Sequence, residues 1–359
     1  MLKFVALYLP QFHPIPENDF WWGKGFTEWS NVAKCKPLFP LHYQPHFPAD
    51  MGWYDLRVPE TRLAQAMLAS RYGIHGFCYY HYWFKGKRLL HRPFTEVLNS
   101  AEPNFPFCLC WANETWSRSW EGNDHSILIK QEYSTADDVA HAEQLLPAFA
   151  DSRAIRVNGR ALFLIYRPLS LPDPLRTTEI LRESCVRAGL KNPYLVGVNS
   201  RSRARDSKDL GFDMTLDFAP QLGVLPNAFS RASRGQRYVK DFCKRILGKD
   251  LKIYEYEDAI RYMEVTSPQY LHIPSVFVAW DNTPRRGREA IIMKNSTPEL
   301  FLNYLRRAIK RAPILPGGDQ IVFINAWNEW AEGNHLEPDF KYGHGYLESV
   351  QRAVQERGN

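Results

Sequence analysis

Two carboxylates three positions apart, Glu329 and Glu332, stand in a setting of indoles and amides: Asn325, Trp327, Asn328 and Trp330, with Gly333 closing the stretch. An unpaired charge inside a core is costly, so ionisable groups beside indoles argue for a site. A carboxyl pair of this kind can do general acid/base work on a glycosidic bond. Indole faces also take the C–H faces of sugar rings. The competing reading is an exposed loop carrying two solvated Glu. The acid of such a pair must hold its proton near neutral pH, which needs burial or a like charge nearby. Trp327 and Trp330 could supply the first, and the neighbouring Glu the second. In a continuing strand, positions i and i+3 point to opposite faces. Both Glu therefore reach one sugar only if the chain turns after Glu329, as Gly333 would allow.

The apolar, β-branched run 321–324 reads as the buried strand that delivers this stretch. Seven similar runs precede it, at 4–9, 76–84, 107–111, 162–166, 194–198, 214–218 and 275–280. Helical spacing separates most of them. The segment 59–72 carries Leu63, Met67 and Leu68 as a stripe, with Gly73 as its stop. The segment 136–150 has Val139, Ala142, Leu146 and Phe149 in register and Thr135 as its cap, with Pro147 expected to kink it or end it early. A third helix opens at Asp173-Pro174, with Leu181, Cys185 and Ala188 on one face. A fourth opens at Thr297-Pro298, with Phe301, Tyr304, Leu305 and Ala308. The last, 346–355, has Leu347, Val350 and Val354. Such alternation predicts a parallel sheet, and eight units predict a closed (β/α)₈ TIM barrel spanning 1–359 as one domain. An open doubly wound sheet would carry a Gly-rich phosphate loop after an early strand; the chain offers Pro10-Gln11-Phe12-His13 instead. The segment 11–55 is a long aromatic loop without helical period. The segment 219–273 reads as an insertion over one end of the barrel. Its Arg231, Arg234, Arg237, Lys240, Lys244 and Arg245 either meet an anionic group or form a solvated face.

In a barrel every strand delivers its last residues to one face. Those residues are Tyr8 and Gln11, Tyr80 and His81, Asn113 and Glu114, Tyr166, Asn199, Asp217, Trp280 and Asp281, and Asn328 and Glu329. With Glu329 and Glu332 as the catalytic candidates, the expected substrate-binding set is Tyr8, Gln11, His13, Trp22, Glu28, Trp29, Tyr43, Gln44, Tyr80, His81, Trp83, Trp111, Asn113, Glu114, Trp116, Asp217, Trp280, Asp281, Trp327 and Asn328. Glu28 and Glu114 could instead be ion-pair partners, and His81 a hydrogen-bonded core histidine.

A formal charge of +6 over 359 residues, with acids and bases interleaved, argues against a nucleic-acid partner. No stretch approaches the length of a membrane span. The N-terminal apolar run is too short for a signal peptide and runs into a strand, so a cytoplasmic setting is expected. Cys78, Cys108 and Cys110 lie in apolar runs, where free buried thiols sit. His13, His42 and His81 show no metal-site spacing, and no G-x-S-x-G elbow is present, so neither a metal, a cofactor nor acyl chemistry is expected.

Several longer motifs then carry a resemblance: the block 8–19, Trp21-Trp22-Gly23-Lys24-Gly25-Phe26-Thr27-Glu28-Trp29, Tyr43-Gln44-Pro45, the aromatic run 76–84, Cys110-Trp111-Ala112-Asn113-Glu114 and Trp327-Asn328-Glu329-Trp330-Ala331-Glu332-Gly333. Together they resemble the WbsX-type proteins of bacterial polysaccharide gene clusters, relatives of glycoside hydrolase family 99. The resemblance covers nearly the whole chain and is weakest over 219–273. It implies a (β/α)₈ fold and an endo-acting, configuration-retaining reaction on an oligo- or polysaccharide. It also implies a mechanism in which Glu329 assists the sugar 2-hydroxyl to form a 1,2-anhydro intermediate, while Glu332 protonates the leaving oxygen and then activates water. Ala331 departs from the His that the better-known hydrolases carry there, so the resemblance does not imply mannose as substrate. A glycosyltransferase or transglycosylase of O-antigen or capsule synthesis on the same scaffold, and a non-catalytic carbohydrate-binding barrel, are the alternatives. No Asp-x-Asp nucleotide-sugar motif is evident, and Asp137-Asp138 sits at a helix start, where acids suit the dipole.

Overall fold

The computed structural model describes residues 1–118, 126–200, 205–226 and 251–358. Eight parallel strands form the barrel: β1 (Leu2–Tyr8), β2 (Ile74–Phe84), β3 (Phe107–Trp111), β4 (Arg160–Ile165), β5 (Tyr194–Asn199), β6 (Met214–Asp217), β7 (His272–Phe277) and β8 (Gln320–Asn325). Each pairs with the next, and β8 returns to β1 with Leu2 opposite Gln320 and Ala6 opposite Ile324, closing the ring. The expected (β/α)₈ TIM barrel is the fold observed.

Alternation along each strand splits the core in two. Val5, Leu7, Cys78, Cys108, Cys110, Leu164, Val196, Leu216, Ile321 and Phe323 fill the barrel interior. Phe4, Ala6, Tyr8, Phe77, Tyr79, Phe107, Leu109, Val322 and Ile324 face the surrounding helices. Cys35, Cys78, Cys108, Cys110 and Cys185 are buried free thiols.

Among the described residues the helices, in chain order, are α1 (Pro16–Trp22), α2 (Glu28–Lys34), α3 (Pro59–Arg71), α4 (Arg92–Ser100), α5 (Thr135–Ala150), α6 (Pro174–Arg187), α7 (Tyr256–Val265), α8 (Thr283–Arg286), α9 (Pro298–Arg311) and α10 (Gly345–Gly358). Several sequence expectations are corrected here. The loop 11–55 holds α1 and α2, seven residues each and too short to show a period. In α3 the buried face is Arg62, Gln65, Ala66 and Ala69, while Leu63 and Met67 are exposed. The polar face turns inward because buried groups outside the helix need its donors. Helix α5 runs past Pro147 to Ala150, because proline in the last turn costs a single backbone bond; Asp151 N–H still donates to the Pro147 carbonyl. Its cap is Ser134, whose side chain accepts from Asp137 N–H, and not Thr135. Ala188 and Val354 are exposed. Strand β7 stops at Phe277, and Trp280–Asp281 forms a separate strand antiparallel to Ile291–Lys294, itself parallel to Lys252–Glu255. The segment 219–273 also contains α7, a regular helix burying Tyr256, Ala259, Ile260 and Met263. The six basic residues named in that segment lie outside the described residues. Among the described residues no helix is long and apolar enough to cross a membrane.

Candidate active site

After β8 the chain folds back on itself. Asn328–Glu329 pairs antiparallel with Asn334–His335, and Trp330–Glu332 makes the 3₁₀ turn between them. Gly333 closes the turn at φ 57°, and a Cβ there would lie 3.2 Å from the Asp281 Cβ. This is the turn that the spacing of the two Glu requires. Asn328, fully buried, ties the turn to the end of β1: its Oδ1 accepts from Leu9 N–H at 2.8 Å and its Nδ2 donates to the Leu9 carbonyl at 3.0 Å. Ala331 is fully buried and stands outside the cavity lining.

Glu329 and Glu332 open onto a cavity of about 340 Å³ at the C-terminal ends of the strands, where barrel chemistry resides. Of the expected set, Gln11, Trp22, Tyr80, Glu114, Trp116 and Trp280 line it with them. Arg285, Tyr82, Tyr166, Phe218 and Asn325 complete much of the wall.

Arg285, on α8, organises the charge. Its Nε donates to Glu28 Oε1, its Nη1 to Glu332 Oε1 and its Nη2 to Glu329 Oε2, each at 2.7 Å. A guanidinium is permanently charged and its fork suits several carboxylates at once. Three ionised carboxylates against one cation would leave the buried cluster with an excess of two negative charges, so a proton is favoured. Burial pushes the Glu332 carboxyl up from 4.5 to about 8, against the pull of Arg285 and with the charges of Glu329 and Glu28 adding to the rise. Burial raises Glu28 as well, again opposed by Arg285 and aided by Glu329. Burial disfavours the charge on Arg285, but the three carboxylates outweigh it.

The remaining expected residues lie behind or beside this cavity. Tyr8 donates to Gln65 Oε1 at 2.6 Å in the core. His13 Nδ1 meets the Pro10 carbonyl. Trp29 packs against Phe12, Tyr54 and Trp330, and its Nε1 donates to the Tyr54 carbonyl. His81 Nε2 is 2.9 Å from His141 Nε2, and Trp83 donates to Asp137. Trp111 and Trp327 are fully buried. Glu28 reaches the cluster only through Arg285. Asn113 holds Tyr133 and the Arg167 backbone, while Glu114 lines the cavity and pairs with Arg167 at 2.6 Å. Asp217 is buried at the end of β6, 3.4 Å from the Ser267 hydroxyl. Tyr43 and Asp281 line a second cavity, and Gln44 donates to Asp281 Oδ2.

Sequence reasoning missed Arg285, although three clustered carboxylates call for a cation and Thr283-Pro284-Arg285-Arg286 follows a strand end. It also missed Glu337, a fully enclosed carboxyl that accepts from Trp330 Nε1 at 2.6 Å, Tyr54 at 2.8 Å and Gln65 at 2.6 Å. His13, His42 and His81 have separate partners, His42 pairing with Asp281 at 2.6 Å. Among the described residues a ligand-bearing group that does converge is His46, His335 and Asp339, whose donor atoms lie within 4.8 Å of one another.

The fold resembles that of the GH99 endo-α-mannosidase from Bacteroides thetaiotaomicron, with a TM-score of 0.56, 15% identity and coverage of 99% of this chain and 97% of that one. A second solved structure, described as a glycoside hydrolase-like protein, matches with a TM-score of 0.58 at 13% identity, covering 98% and 93%. Closer in sequence are the uncharacterized WxcX proteins of Xanthomonas campestris pv. campestris. The chain is 41% identical over 354 residues to that of strain B100 and 42% identical over 353 residues to that of strain ATCC 33913. These alignments cover 98% of this chain and 49% of each relative, so the chain spans about half the length of the curated relatives it matches. The family model described as glycosyltransferase WbsX matches residues 4–350, and the chain belongs to the WbsX family.

Proposed function

We propose that the chain is a glycan-active enzyme, in which Glu329 and Glu332 cleave a glycosidic bond with retention of configuration. The observation that carries this reading is the Glu332 carboxyl: it is raised to about 8, faces a polar-aromatic cavity and lies one guanidinium away from Glu329. An acid of that strength is protonated at neutral pH and can give its proton to a leaving oxygen. Glu332 Oε1 accepts from Arg285, so the proton belongs on the other oxygen. In the first step Glu329 takes the proton of the sugar 2-hydroxyl as its oxygen bonds to the anomeric carbon. The leaving oxygen departs with the proton of Glu332. In the second step water gives a proton to Glu332 and bonds to the anomeric carbon; the 1,2-anhydro ring opens and O2 recovers its proton from Glu329. The aromatic wall of Trp22, Tyr80, Trp116 and Trp280 suits stacked pyranose rings of an oligosaccharide.

Glycosyl transfer is the second reading, favoured by the description of the family as glycosyltransferases. There an acceptor hydroxyl takes the place of water, and the two Glu keep their roles. Glu329→Gln and Glu332→Gln, assayed on a glycan panel with and without sugar acceptors, test both. Hydrolysis by the wild type and its loss in both variants supports hydrolysis. Product formation only when an acceptor is supplied supports transfer. Glycan binding without turnover in the wild type would remove the enzyme reading.

A further inference from the structure

Beside the acid pair, a second cavity of about 360 Å³ shares Trp280 with the first. Its polar corner consists of His46, His335 and Asp339, all buried. We propose that this corner binds a divalent transition ion of the zinc class through His46 Nδ1, His335 Nε2 and a carboxylate oxygen of Asp339, with a fourth position open to the cavity. Two imidazoles and one carboxylate suit Zn²⁺, Co²⁺ or Ni²⁺ rather than Ca²⁺ or Mg²⁺, which prefer oxygen alone.

The orientation of the donors supports the site. His335 Nδ1 lies 2.9 Å from the Glu337 carbonyl, which only accepts, so Nδ1 carries the hydrogen and Nε2 presents a lone pair. This imidazole-to-carbonyl contact is the arrangement that orients metal-binding histidines. That Nε2 stands 2.9 Å from His46 Nδ1. Ligands of a tetrahedral zinc, with bonds of about 2.0–2.1 Å, sit roughly 3.3 Å apart. The pair therefore needs to open by only a few tenths of an ångström, once His46 carries its hydrogen on Nε2. Asp339 is aimed by three donors: Lys341 N–H at 3.0 Å and Tyr342 N–H at 2.7 Å on Oδ1, and the Tyr43 hydroxyl at 3.2 Å on Oδ2. Its donor atom must close from within 4.8 Å of the imidazoles. Both rings are held by aromatic contacts: His335 stacks on Trp330 at 3.7 Å, and His46 lies tilted by 32° against Tyr43 at 4.4 Å. Lys341, over the rings of Tyr43 and Tyr342, sends an opposing charge toward His46.

The site is independent of the proposed reaction, though His335 stacks on a residue of the catalytic turn. The test is calorimetric titration of EDTA-treated protein with ZnCl₂, with the visible spectrum of CoCl₂-loaded protein as a second readout. The expected result is one equivalent bound, a cobalt spectrum of tetrahedral intensity and a rise in Tm with Zn²⁺. His46→Asn and Asp339→Asn should abolish all three. Tyr43→Phe, which leaves the ligands in place, should weaken binding about 10-fold, and it serves if the ligand variants fail to fold. Lys341→Met should tighten binding, and Glu332→Gln should leave it unchanged. The absence of saturable binding to the wild type overturns the proposal. So does undiminished binding to the His46 and Asp339 variants, or, if neither folds, to Tyr43→Phe.

Discussion

With Arg285 donating to Glu28, Glu329 and Glu332, the candidate site holds three carboxyls against one permanent positive charge. Removing one partner of a buried ionic cluster costs about 3–5 kcal/mol, because the remaining charges lose their compensation. Arg285→Met should therefore lower stability by about that amount in denaturant titration, less at low pH, where the carboxyls take protons, and should abolish turnover. The raised Glu332 has its own pH signature. Its proton is held more tightly in the native state than at its ordinary value of 4.5, so its contribution to stability is complete below 4.5 and is lost as pH rises through about 8. Activity that needs the protonated acid should fall on the same alkaline limb. A pH–rate profile whose alkaline limb shows no apparent pKa near 8 would count against Glu332 as the acid.

At the scale of elements, α3 and the turn after β8 depend on features that pull in opposite directions from simple hydrophobic patterning. Gln65, on the buried face of α3, accepts from Tyr8 and donates to Glu337, while Leu63 and Met67 face solvent. Gln65→Leu should cost about 1–3 kcal/mol, because it strands the buried Tyr8 hydroxyl and one oxygen of the buried Glu337 carboxyl. Leu63→Ala and Met67→Ala should each stay within about 0.5 kcal/mol. Equal effects at the three positions in thermal or urea unfolding would refute this assignment of faces. The turn makes a different demand. Gly333→Ala places a Cβ at φ 57° and 3.2 Å from Asp281. Strain of about 1–3 kcal/mol is expected, with turnover falling further than stability as Glu332 is displaced from Arg285.

For the whole molecule, the barrel interior is what keeps eight strand ends in register under the site. Phe323 is fully buried in that interior with Cys78, Leu164, Val196 and Leu216 as co-members. Phe323→Ala should cost about 3–5 kcal/mol in unfolding, the cost of transfer plus a cavity in a core that cannot collapse. Because the strand ends move together, substrate binding and turnover should decline with it, whereas a surface change such as Val186→Ala on α6 should leave both unaltered. The WbsX relatives extend well beyond the length matched here, so these expectations concern the barrel that the chain forms.

The sequence by itself determined the strands, several of the helices between them and the barrel they close, because apolar periodicity is a local property and eight such units have few ways to bury their faces together. It also determined that Glu329 and Glu332 share a strand end with indoles. It could not determine which expected residues meet there. Gln11, Trp22, Tyr80, Glu114, Trp116 and Trp280 line the cavity, while Trp83, Trp111 and Trp327 are core and Asn328 is a brace between strands. An aromatic at a strand end points in or out according to register, and register belongs to the closed sheet. Only the tertiary structure brought Arg285 from α8 onto Glu28 and Glu329, 257 and 44 residues away in sequence, and set His46 against His335 across 289 residues. Those juxtapositions fix the charge of the site, and charge acts through space rather than along the chain.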